Sequence, residues 1–547
     1  MTLRPITAVA DELGLSPDHV LPWGRHRAKV ELSAIGPAKG RLVLVSAINP
    51  TPPGEGKTTT SIALAMGLRR RGRKAVAALR EPSLGPVFGV KGGGTGGGLA
   101  QLEPAADINL HFTGDLHAVT SAHNLLAALV DNALHFGTTR LDPRSVTWPR
   151  ALDMNDRSLR RLVVGLGGRT EGVPRETRFD ITAASEVTAI LGLSESLEDL
   201  QRRCARIIVG RTAAGEPVRA GDLGAEGAMT ALLRDALMPN LVQTREGGPA
   251  IVHGGPFANI AYGCSSVVGT RLALSQADEV ITEGGFGFDL GGEKFLDLKC
   301  RSAGLWPRVV VLVATLRALK FHGGVPLPSV GIPDREGLMR GLDHLDRHLA
   351  SLAAFGLPAV VAVNRFPNDG EDELDVLRSF VTDRGVGFAV HEGFTKGGEG
   401  ALELADVVRD ALDATDARPP EPLYPYDLDS DAVTKVEAVA RRVYGADGVD
   451  FTPQARKQLE SIERMGEGRL PVCIAKTHLS LTDDPARVGR PSGFRITVRE
   501  VRVSAGAGYL VCLTGELMTM PGLPKEPASS RVVVHPDGRI TGLMQGE

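Results

Sequence analysis

The stretch Thr51-Pro-Pro-Gly-Glu-Gly-Lys-Thr-Thr-Thr60 decides the fold of this chain. It follows an apolar run, residues 42–48, that has the composition of a buried strand, and it opens an Ala- and Leu-rich segment, residues 59–68, that we expect to be helical. A strand that ends in a glycine-rich turn at the start of a helix is a typical phosphate cradle, because backbone N–H groups and the helix dipole both face the anion. The loop departs from the common pattern at Thr51, where glycine is usual, and in the two prolines that follow.

The loop itself predicts a nucleotide site. Lys57 has the position of the residue that reaches the outer phosphates, and the hydroxyl of Thr58 has the position of a magnesium ligand. The residues that we expect to line the site are Thr51, Pro52, Pro53, Gly54, Glu55, Gly56, Lys57 and Thr58.

Length and composition are those of a multi-domain globular protein. A chain of 547 residues exceeds the size at which a single core stops growing, about 250–300 residues. A net charge of -3 gives no basic surface for a nucleic acid, and no apolar run is long enough to span a membrane or to act as a signal peptide. The five cysteines lie far apart, which fits a reducing compartment. We therefore expect a cytoplasmic protein with neither nucleic-acid nor membrane partners.

Further apolar runs predict the fold class, which is α/β. Residues 74–79 form a second strand after the first helix, so that strand, loop, helix and strand make a βαβ unit. Residues 309–314 and 359–363 are further buried strands. We predict a P-loop NTPase-type, doubly wound parallel sheet in a large N-terminal domain, with two smaller domains after it. The predicted boundaries are 1–345, 346–425 for a second α/β domain, and 426–547 for a C-terminal α+β domain.

Polar and aromatic residues follow several of the predicted strands. Ligands of open α/β sheets bind at the carboxyl ends of the strands, so Arg80 should open on the same side as Lys57. Its guanidinium suits a carboxylate or a phosphate; the alternative is an arginine at the protein surface. Phe366 and Phe394 follow two later strands, in loops rich in Gly, Pro and Asn. They are either core anchors or a stacking platform for a flat ligand.

Two other stretches leave alternatives open. Lys91-Gly-Gly-Gly-Thr-Gly-Gly-Gly98 is either a flexible linker or a loop that lets the backbone approach a ligand, and its place after the predicted phosphate site favours the second. Residues 107–115 are predicted to form a strand and a turn. Within and after them, His111, His117 and His123 are six residues apart, a spacing that matches no common metal motif.

Six stretches, in the same order along the chain, resemble the formate–tetrahydrofolate ligase family, also called formyltetrahydrofolate synthetase. A phosphate loop alone would be weak support, but most of the other stretches are peculiar to this family. They are residues 51–60, Arg80-Glu-Pro-Ser-Leu-Gly-Pro86, Asp107-Ile-Asn-Leu-His-Phe-Thr-Gly-Asp115, Gly255-Pro-Phe-Ala-Asn-Ile260, Asn364-Arg-Phe-Pro367 and Met518-Thr-Met-Pro-Gly-Leu-Pro-Lys525.

The resemblance implies an enzyme that ligates formate to N10 of tetrahydrofolate and so forms 10-formyltetrahydrofolate. The reaction would consume ATP with Mg²⁺ and pass through formyl phosphate. Members of the family are typically homotetramers that a monovalent cation such as K⁺ or NH₄⁺ activates. The small-molecule partners would therefore be formate, ATP and tetrahydrofolate.

The resemblance also assigns residues by position. Lys57 and Thr58 would handle the ATP phosphates and the magnesium ion, and Arg80 would hold formyl phosphate. The pterin would lie between Phe366 and Phe394, with apolar walls completed by Pro367 and Phe286. For the proton released when N10 attacks the formyl carbon, Asp115 or Glu81 is the expected acceptor, so the predicted catalytic residues are Lys57, Arg80, Asp115 and Glu81.

The chain departs from the family pattern at three places. Phe394 stands where tryptophan is usual, Tyr262 and Ser265 stand in a loop that usually runs Ala-His-Gly-Cys-Asn, and Gly94 and Thr95 stand where alanines are common. Two other functions stay open at this point. One is a P-loop ATPase that acts as a switch on a partner, although such proteins often carry a second lysine early in the loop. The other is a carboxylate-activating ligase of the dethiobiotin-synthetase kind.

Overall fold

The computed structural model of the protein describes residues 3–52, 54–89, 93–168, 170–515 and 518–543. Pro53 of the predicted nucleotide loop lies outside these residues, as do Lys91 and Gly92 of the glycine-rich stretch. Within the described ranges, no helix has both the length and the apolar character needed to cross a membrane.

The strands are mostly short, and the longest of them lie in the middle of the chain's main sheet. In the described residues they are β1 Val20–Pro22, β2 Ala28–Val30, β3 Arg41–Ala47, β4 Ala75–Leu79, β5 Gly96–Gly97, β6 Ala100–Glu103, β7 Arg150–Leu152, β8 Leu162–Val164, β9 Arg175–Thr177, β10 Phe179–Ile181, β11 Ile208–Arg211, β12 Pro217–Arg219, β13 Asn240–Thr244, β14 Pro249–Val252, β15 Glu279–Glu283, β16 Val309–Ala314, β17 Ala359–Asn364, β18 Gly387–His391, β19 Gly448–Phe451, β20 Val472–Ala475, β21 Arg495–Val498, β22 Glu500–Ser504, β23 Tyr509–Leu513, β24 Val533–Val534 and β25 Ile540–Thr541.

The helices alternate with these strands through the first three quarters of the chain. In the described residues they are α1 Ile6–Leu13, α2 Lys57–Arg70, α3 Leu84–Phe88, α4 Ala105–Asn109, α5 Asp115–Phe136, α6 Glu186–Leu193, α7 Leu197–Arg206, α8 Glu226–Leu233, α9 Val267–Gln276, α10 Arg301–Ala303, α11 Leu316–His322, α12 Arg335–Ala353, α13 Glu371–Thr382, α14 Gly393–Lys396, α15 Leu402–Ala414, α16 Ala432–Val439 and α17 Pro453–Arg464. Residues Phe288–Gly292, Phe295–Cys300 and Ala440–Tyr444 add three π-helical segments within the described ranges.

One large sheet organises the molecule. Its order is β1-β2-β13-β14-β4-β15-β3-β16-β17-β18, and the hairpin of β5 and β6 pairs with β13. All neighbours from β14 to β18 are parallel, whereas β1, β2 and β13 run antiparallel to their neighbours at one edge. The predicted α/β class is therefore confirmed as a large, mostly parallel sheet.

Helices cover both faces of this sheet. Successive side chains of a strand point to opposite faces, and in β3 Val43 and Val45 pack with α2 and α15 while Leu42 and Leu44 pack with the helices of the other face. Because both faces are buried, most of the central strands are largely apolar and do not alternate, although β15 has a glutamate at each end. Such runs are visible in the sequence, which is why these strands were predictable.

The predicted βαβ unit forms, with one difference in pairing. β3, α2 and β4 follow one another and the two strands are parallel, but β15 lies between them and pairs with both. The chain supplies β15 about two hundred residues later, so local sequence could not show it. Its insertion puts the end of a third strand between the nucleotide loop and Arg80.

The sheet continues through the predicted second domain. The predicted boundary at 345–346 falls inside α12, and β17 and β18 extend the same sheet beyond β16. The described residues of 346–425 therefore have no separate sheet of their own. The division of the chain at 345 and at 425 otherwise stays a prediction.

The C-terminal region forms small sheets that pack on the same core. β20, β23 and β22 make one of them, and β19 pairs with β21. Apolar side chains from these strands share one continuous cluster with those of the main sheet's outer helices. A mixture of helices and short strands agrees with the predicted α+β character of residues 426–547.

Residues 107–115 do not form the predicted strand. The chain makes helix α4 up to Asn109, turns through Phe112 at a positive φ of 46°, and begins α5 at Asp115. The buried side chains Ile108 and Phe112 are four residues apart, which is the helical period. The strand prediction was wrong because this stretch is too short for its period to be recognised.

Close contact between α11 and α12 depends on glycine. A Cβ atom at Gly341 would lie 1.9 Å from the carbonyl oxygen of Leu319, and one at Gly323 would lie 1.8 Å from that of Gly337. α12 in turn carries His348, whose Nε2 lies 3.1 Å from Oδ1 of Asn49 at the start of the nucleotide loop. The α11–α12 pair is therefore connected to the start of the nucleotide loop through His348.

We expect Gly341→Ala to destabilise the protein by about 1–3 kcal/mol, since the added methyl group must push α11 and α12 apart. Gly331→Ala is the matched control, because a Cβ atom there would meet nothing within 4 Å. Thermal unfolding of both variants against the parent protein tests this. Equal melting temperatures for the two variants would contradict the packing argument.

Candidate functional site

The carboxyl ends of the parallel strands meet at one edge of the sheet. The nucleotide loop follows β3, and Arg80 follows β4. Phe286 and Phe366 lie in the loops after β15 and β17, and Phe394 lies in the short helix α14 after β18. Parallel strands with these connections place their following loops on one side. The sequence-predicted residues are therefore brought to a common edge by the topology.

Glu55 holds the nucleotide loop together from within. Its carboxylate is buried and accepts hydrogen bonds from the backbone N–H of Thr51 at 2.8 Å and from the hydroxyl of Thr51 at 2.9 Å. Its other oxygen accepts from the hydroxyl of Thr315, which follows β16. Thr51, which replaces the usual glycine, thus contributes a hydroxyl group that fixes the loop.

Gly56 is required where the loop enters α2. Its φ of 77° lies in the left-handed region, and a Cβ atom there would lie 2.5 Å from Nδ2 of Asn364 at the end of β17. Gly54, with a φ of 86°, makes the preceding turn. No side chain caps the start of α2 among the described residues, so its first N–H groups face the loop. An anion is the partner that such a helix end favours.

Thr58 is tied to a residue that sequence reasoning missed. Its hydroxyl donates a hydrogen bond of 2.8 Å to Oε2 of Glu283, the last residue of β15. Glu283 is buried, and its Oε1 lies 3.8 Å from Nη2 of Arg80. One carboxylate therefore contacts both the predicted magnesium ligand and the predicted formyl phosphate clamp.

Arg80 is positioned rather than loose. Its side chain is about a quarter exposed, 27%, and passes beside Gly285, where a Cβ atom would lie 3.1 Å from Nη1. Its Nε is buried and makes no hydrogen bond within the described part of the chain. A guanidinium held in this way can still donate to an anionic ligand. The surface alternative for Arg80 does not fit this placement.

Asp115 is committed to a buried ion pair. Oδ1 lies 2.7 Å from Nζ of Lys29, and Oδ2 accepts a hydrogen bond of 2.8 Å from Asn240. Lys29 also donates to the carbonyl oxygen of Met238 at 3.0 Å. Both side chains of the pair are almost wholly buried. This arrangement assigns Asp115 a structural role before any other.

Glu81 lies nearby in a different state. Burial, and after it the negative charge of Asp115, raises the pKa of Glu81 well above its usual value, while Lys29 acts in the opposite direction. A carboxyl group of raised pKa takes up a proton near neutral pH more readily than an ordinary one. Of the two predicted proton acceptors, Glu81 has the more suitable electrostatic setting.

Phe394 is an exposed ring supported by the glycine-rich stretch. It is 44% exposed, and Leu99 N–H donates a hydrogen bond of 2.8 Å to its carbonyl oxygen. A Cβ atom at Gly98 would lie 2.0 Å from that oxygen, and one at Gly97 would lie 3.0 Å from the ring. These two glycines permit a close approach to the aromatic segment, so the stretch is not a simple linker.

Phe366 and Phe286 are also outside the apolar core. The guanidinium of Arg317 lies 3.9 Å from the centre of the Phe366 ring, and Pro367 beside it is exposed. Phe286 has a positive φ of 59° and stacks on His478 with the ring centres 4.4 Å apart. Backbone strain of this kind is maintained only where the surroundings hold it, and it is common in ligand sites.

A departure from the family pattern at Tyr262 is accommodated inside the core. Tyr262 is fully buried, and its hydroxyl occupies the space beside Gly192, where a Cβ atom would lie 1.6 Å from it. Ser265 is also buried and lies 3.0 Å, oxygen to oxygen, from Thr282 of β15. Both replacements therefore lie in the buried core, where they affect side-chain packing.

Known proteins resemble this chain over its whole length. A family model described as "Formate--tetrahydrofolate ligase" matches residues 1–544. The chain belongs to this family. Proteins of the same name are 68% identical in Myxococcus xanthus (strain DK1622), over the full length of both chains, and 56% identical in Symbiobacterium thermophilum, over 99% of this chain and 98% of the relative. One from Paracoccus denitrificans (strain Pd 1222) is 54% identical, over 98% of this chain and 97% of the relative.

Family membership confirms the sequence-based identification and makes this protein a ligase. The resemblance could not supply Glu283, because its role depends on which strand lies between β3 and β4. A signal was present, since a glutamate ends an apolar strand and is followed by Gly-Gly-Phe-Gly. The contacts that Glu55 and Asn364 make could not be predicted either, because they join residues that are far apart in the sequence.

The residues of this formate–tetrahydrofolate ligase fit a magnesium ion that is held partly by its substrate. In the described ranges, no three side chains of the His, Cys, Asp or Glu types lie close enough to hold a metal ion alone. Magnesium commonly takes one or two protein ligands and completes its shell with phosphate oxygens and water. Thr58, whose hydroxyl proton is directed to Glu283, suits that partial role.

We expect Asp115→Asn and Glu81→Gln to differ in stability. Asp115→Asn leaves the charge of Lys29 buried without its partner and should cost about 3–5 kcal/mol. Glu81 has a folded pKa above its unfolded pKa, so its ionisation weakens the fold as pH rises through that interval. Glu81→Gln removes this loss and should be at least as stable as the parent protein at pH 8.

Melting temperatures at pH 6 and pH 8 test both expectations. An Asp115→Asn protein as stable as Glu81→Gln would show that the Lys29 ion pair is not structural.

Proposed function

We propose that this protein ligates formate to tetrahydrofolate with consumption of ATP, and releases 10-formyltetrahydrofolate, ADP and phosphate through a formyl phosphate intermediate. The observation that carries the proposal is the contact of Glu283 with both Thr58 and Arg80, because it joins the predicted phosphate site to a partly exposed guanidinium. Formate is a poor electrophile because oxide is a poor leaving group. Phosphorylation replaces it with a good one.

The nucleotide loop would serve the first step, in which a formate oxygen attacks the γ-phosphorus and ADP leaves. The loop's N–H groups and Lys57 would stabilise negative charge at the start of α2, and Thr58, whose hydroxyl donates to Glu283, would offer its oxygen to a magnesium ion. When bound, the magnesium ion supplies further positive charge to the phosphates. The protein's contribution is therefore position and electrostatic stabilisation rather than covalent chemistry.

Arg80 would hold formate opposite the γ-phosphate and then retain formyl phosphate. Its guanidinium can donate to two oxygens at once, which fits a carboxylate and then a phosphate. Positioning both reactants lowers the entropic part of the barrier. Glu283 forms an ion pair with Arg80, and the absence of a side chain at Gly285 leaves room for the guanidinium beside it.

In the second step N10 of tetrahydrofolate attacks the formyl carbon, the C–O bond to phosphate breaks, and N10 loses a proton. Glu81 is the proposed acceptor, because Asp115 is occupied by Lys29 and Asn240. Phe366 and Phe394 are the proposed faces for the pterin, with Pro367 and Phe286 beside them. We also propose a cytoplasmic homotetramer activated by K⁺ or NH₄⁺, on the family resemblance alone.

A single assay tests the reaction. ATP consumption should require formate and tetrahydrofolate together and should yield the 10-formyl product in equal amount. ATP hydrolysis that needs neither substrate but responds to a protein partner would support the switch instead. Product formed from a different carboxylic acid would support the dethiobiotin-synthetase kind of ligase.

In this assay we expect Lys57→Ala to abolish turnover and Arg80→Ala to reduce formate-dependent turnover by at least a hundredfold, about 2.7 kcal/mol, while ATP still binds. Equilibrium binding of ATP to Arg80→Ala separates the two effects. Arg157→Ala is a control, since the guanidinium of Arg157 donates a hydrogen bond to the carbonyl oxygen of Leu523 in the C-terminal region. Normal formate-dependent activity of Arg80→Ala would remove the clamp role.

We expect Phe394→Trp to strengthen tetrahydrofolate binding, because a larger exposed ring offers more stacking area. The gain should be about 0.5–1 kcal/mol, or two- to fivefold in Kd. Phe136→Trp is the control, as Phe136 is more exposed still and lies at the end of α5. An unchanged Kd for Phe394→Trp would mean that this ring does not contact the pterin.

A further inference from the structure

We propose that Glu283 is a positioning residue that couples the magnesium end of the nucleotide site to the arginine that holds formate. This inference rests on the proposed function, since it assigns Thr58 to the metal and Arg80 to formate. A phosphate loop commonly has an acidic residue near its magnesium ion, but neither the loop motif nor the family name implies a carboxylate that also contacts the arginine.

The sheet determines where Glu283 lies. β15 pairs with β3 on one side, with Glu283 opposite Val45, and with β4 on the other, with Thr282 opposite Ala78. The nucleotide loop follows β3 and Arg80 follows β4. The last residue of β15 is consequently the one backbone position that the sheet places between the two halves of the site.

The contact with Thr58 fixes the direction of a hydroxyl group. Thr58 donates its proton to Oε2 of Glu283 at 2.8 Å. A hydroxyl has one proton and two lone pairs, so a proton committed to Glu283 leaves the lone pairs directed elsewhere. Glu283 in this way prepares Thr58 to act as a ligand to a cation without being a ligand itself.

The contact with Arg80 gives the same carboxylate a second task. Oε1 of Glu283 lies 3.8 Å from Nη2 of Arg80, and the carboxylate is only 4% exposed. A buried carboxylate requires partners: Thr58 donates a hydrogen bond to Glu283, and the charge of Arg80 lies within ion-pair distance. A change at either partner alters the setting of the other through Glu283, so binding at one half should affect binding at the other.

Glu283→Gln keeps the shape and removes the charge. The ion pair with Arg80 is therefore lost, and an amide N–H that faces Thr58 would reverse the direction of the Thr58 hydrogen bond. We expect the Kd for ADP in the presence of Mg²⁺ to rise at least tenfold, while the Kd for ADP in EDTA changes less than twofold. We also expect the KM for formate to rise at least tenfold.

The matched control is Glu279→Gln. Glu279 is a buried carboxylate at the other end of the same strand, where it pairs with Arg41 and Arg73. It is remote from the carboxyl edge, and its replacement should leave both ADP affinities and the KM for formate within twofold of the parent values. Equal effects of the two variants on nucleotide and formate would overturn the proposal.

Calorimetric titration of ADP, with Mg²⁺ and with EDTA, and initial rates over a range of formate provide the readouts. If Glu283→Gln does not fold, Glu283→Asp provides the same test, because its shorter side chain cannot reach both partners. An unchanged ratio of the two ADP affinities, or an equal loss with and without Mg²⁺, would overturn the proposal. Absence of formate-dependent ATP consumption by the parent protein would instead overturn the proposed function.

A second comparison tests the coupling itself. In a double-mutant cycle, the effects of Thr58→Val and Glu283→Gln on the Mg²⁺-dependent affinity for ADP should not be additive. Both variants act on the same hydrogen bond, the one from the Thr58 hydroxyl to the Glu283 carboxylate. Additive effects would show that Glu283 acts independently of Thr58 and would overturn its role toward the magnesium ion.

Discussion

The packing of β15 between β3 and β4 is the constraint on which the site depends. Three parallel strands end side by side, and their next residues are the nucleotide loop, Glu283 with its glycines, and Arg80. Parallel strands lie about 4.8 Å apart, so side chains at their ends can contact one another directly. The distance between the two halves of the site is therefore a property of the sheet, and rigid strands hold reacting groups more accurately than free loops would.

A second buried network fixes the start of the nucleotide loop. Nδ2 of Asn49 donates to Asp289 at 3.1 Å, and Asp289 forms an ion pair of 2.6 Å with Lys476 of the C-terminal region. Burial lowers the pKa of His322 and of His348 to about 4, so these histidines are neutral and act on Asn49 as hydrogen-bond partners. The C-terminal region thus contributes to the loop although it lies far away in sequence. Removing either member of the Asp289–Lys476 ion pair would leave a buried charge without its partner.

Local sequence predicted those parts of the fold that depend on local sequence. Several of the parallel strands are apolar runs, and the predicted glycine-rich turn is present, with positive φ angles at Gly54 and Gly56. The strand predicted at residues 107–115 was wrong, because a helix of five residues has less than two turns and its period cannot be recognised in the sequence. The predicted boundary at 345 does not divide the sheet, since β16 and β17 pair across it. That pairing could not be recognised from the residues between the two strands.

The candidate site divides along the same line. Residue type and position predicted Lys57, Thr58, Arg80 and the aromatic rings as site residues, since each follows a strand or a glycine turn, and the structure places them at one edge of the sheet. Glu283 and the partners of Asp115 were not identified, because a carboxylate acquires its role from what is packed against it. Asp115 and Glu81 look equivalent in sequence, yet Lys29 neutralises the first and burial raises the pKa of the second. The charge and the pKa of a buried acid thus depend on residues that are distant in the sequence, so they can be assigned only from the structure.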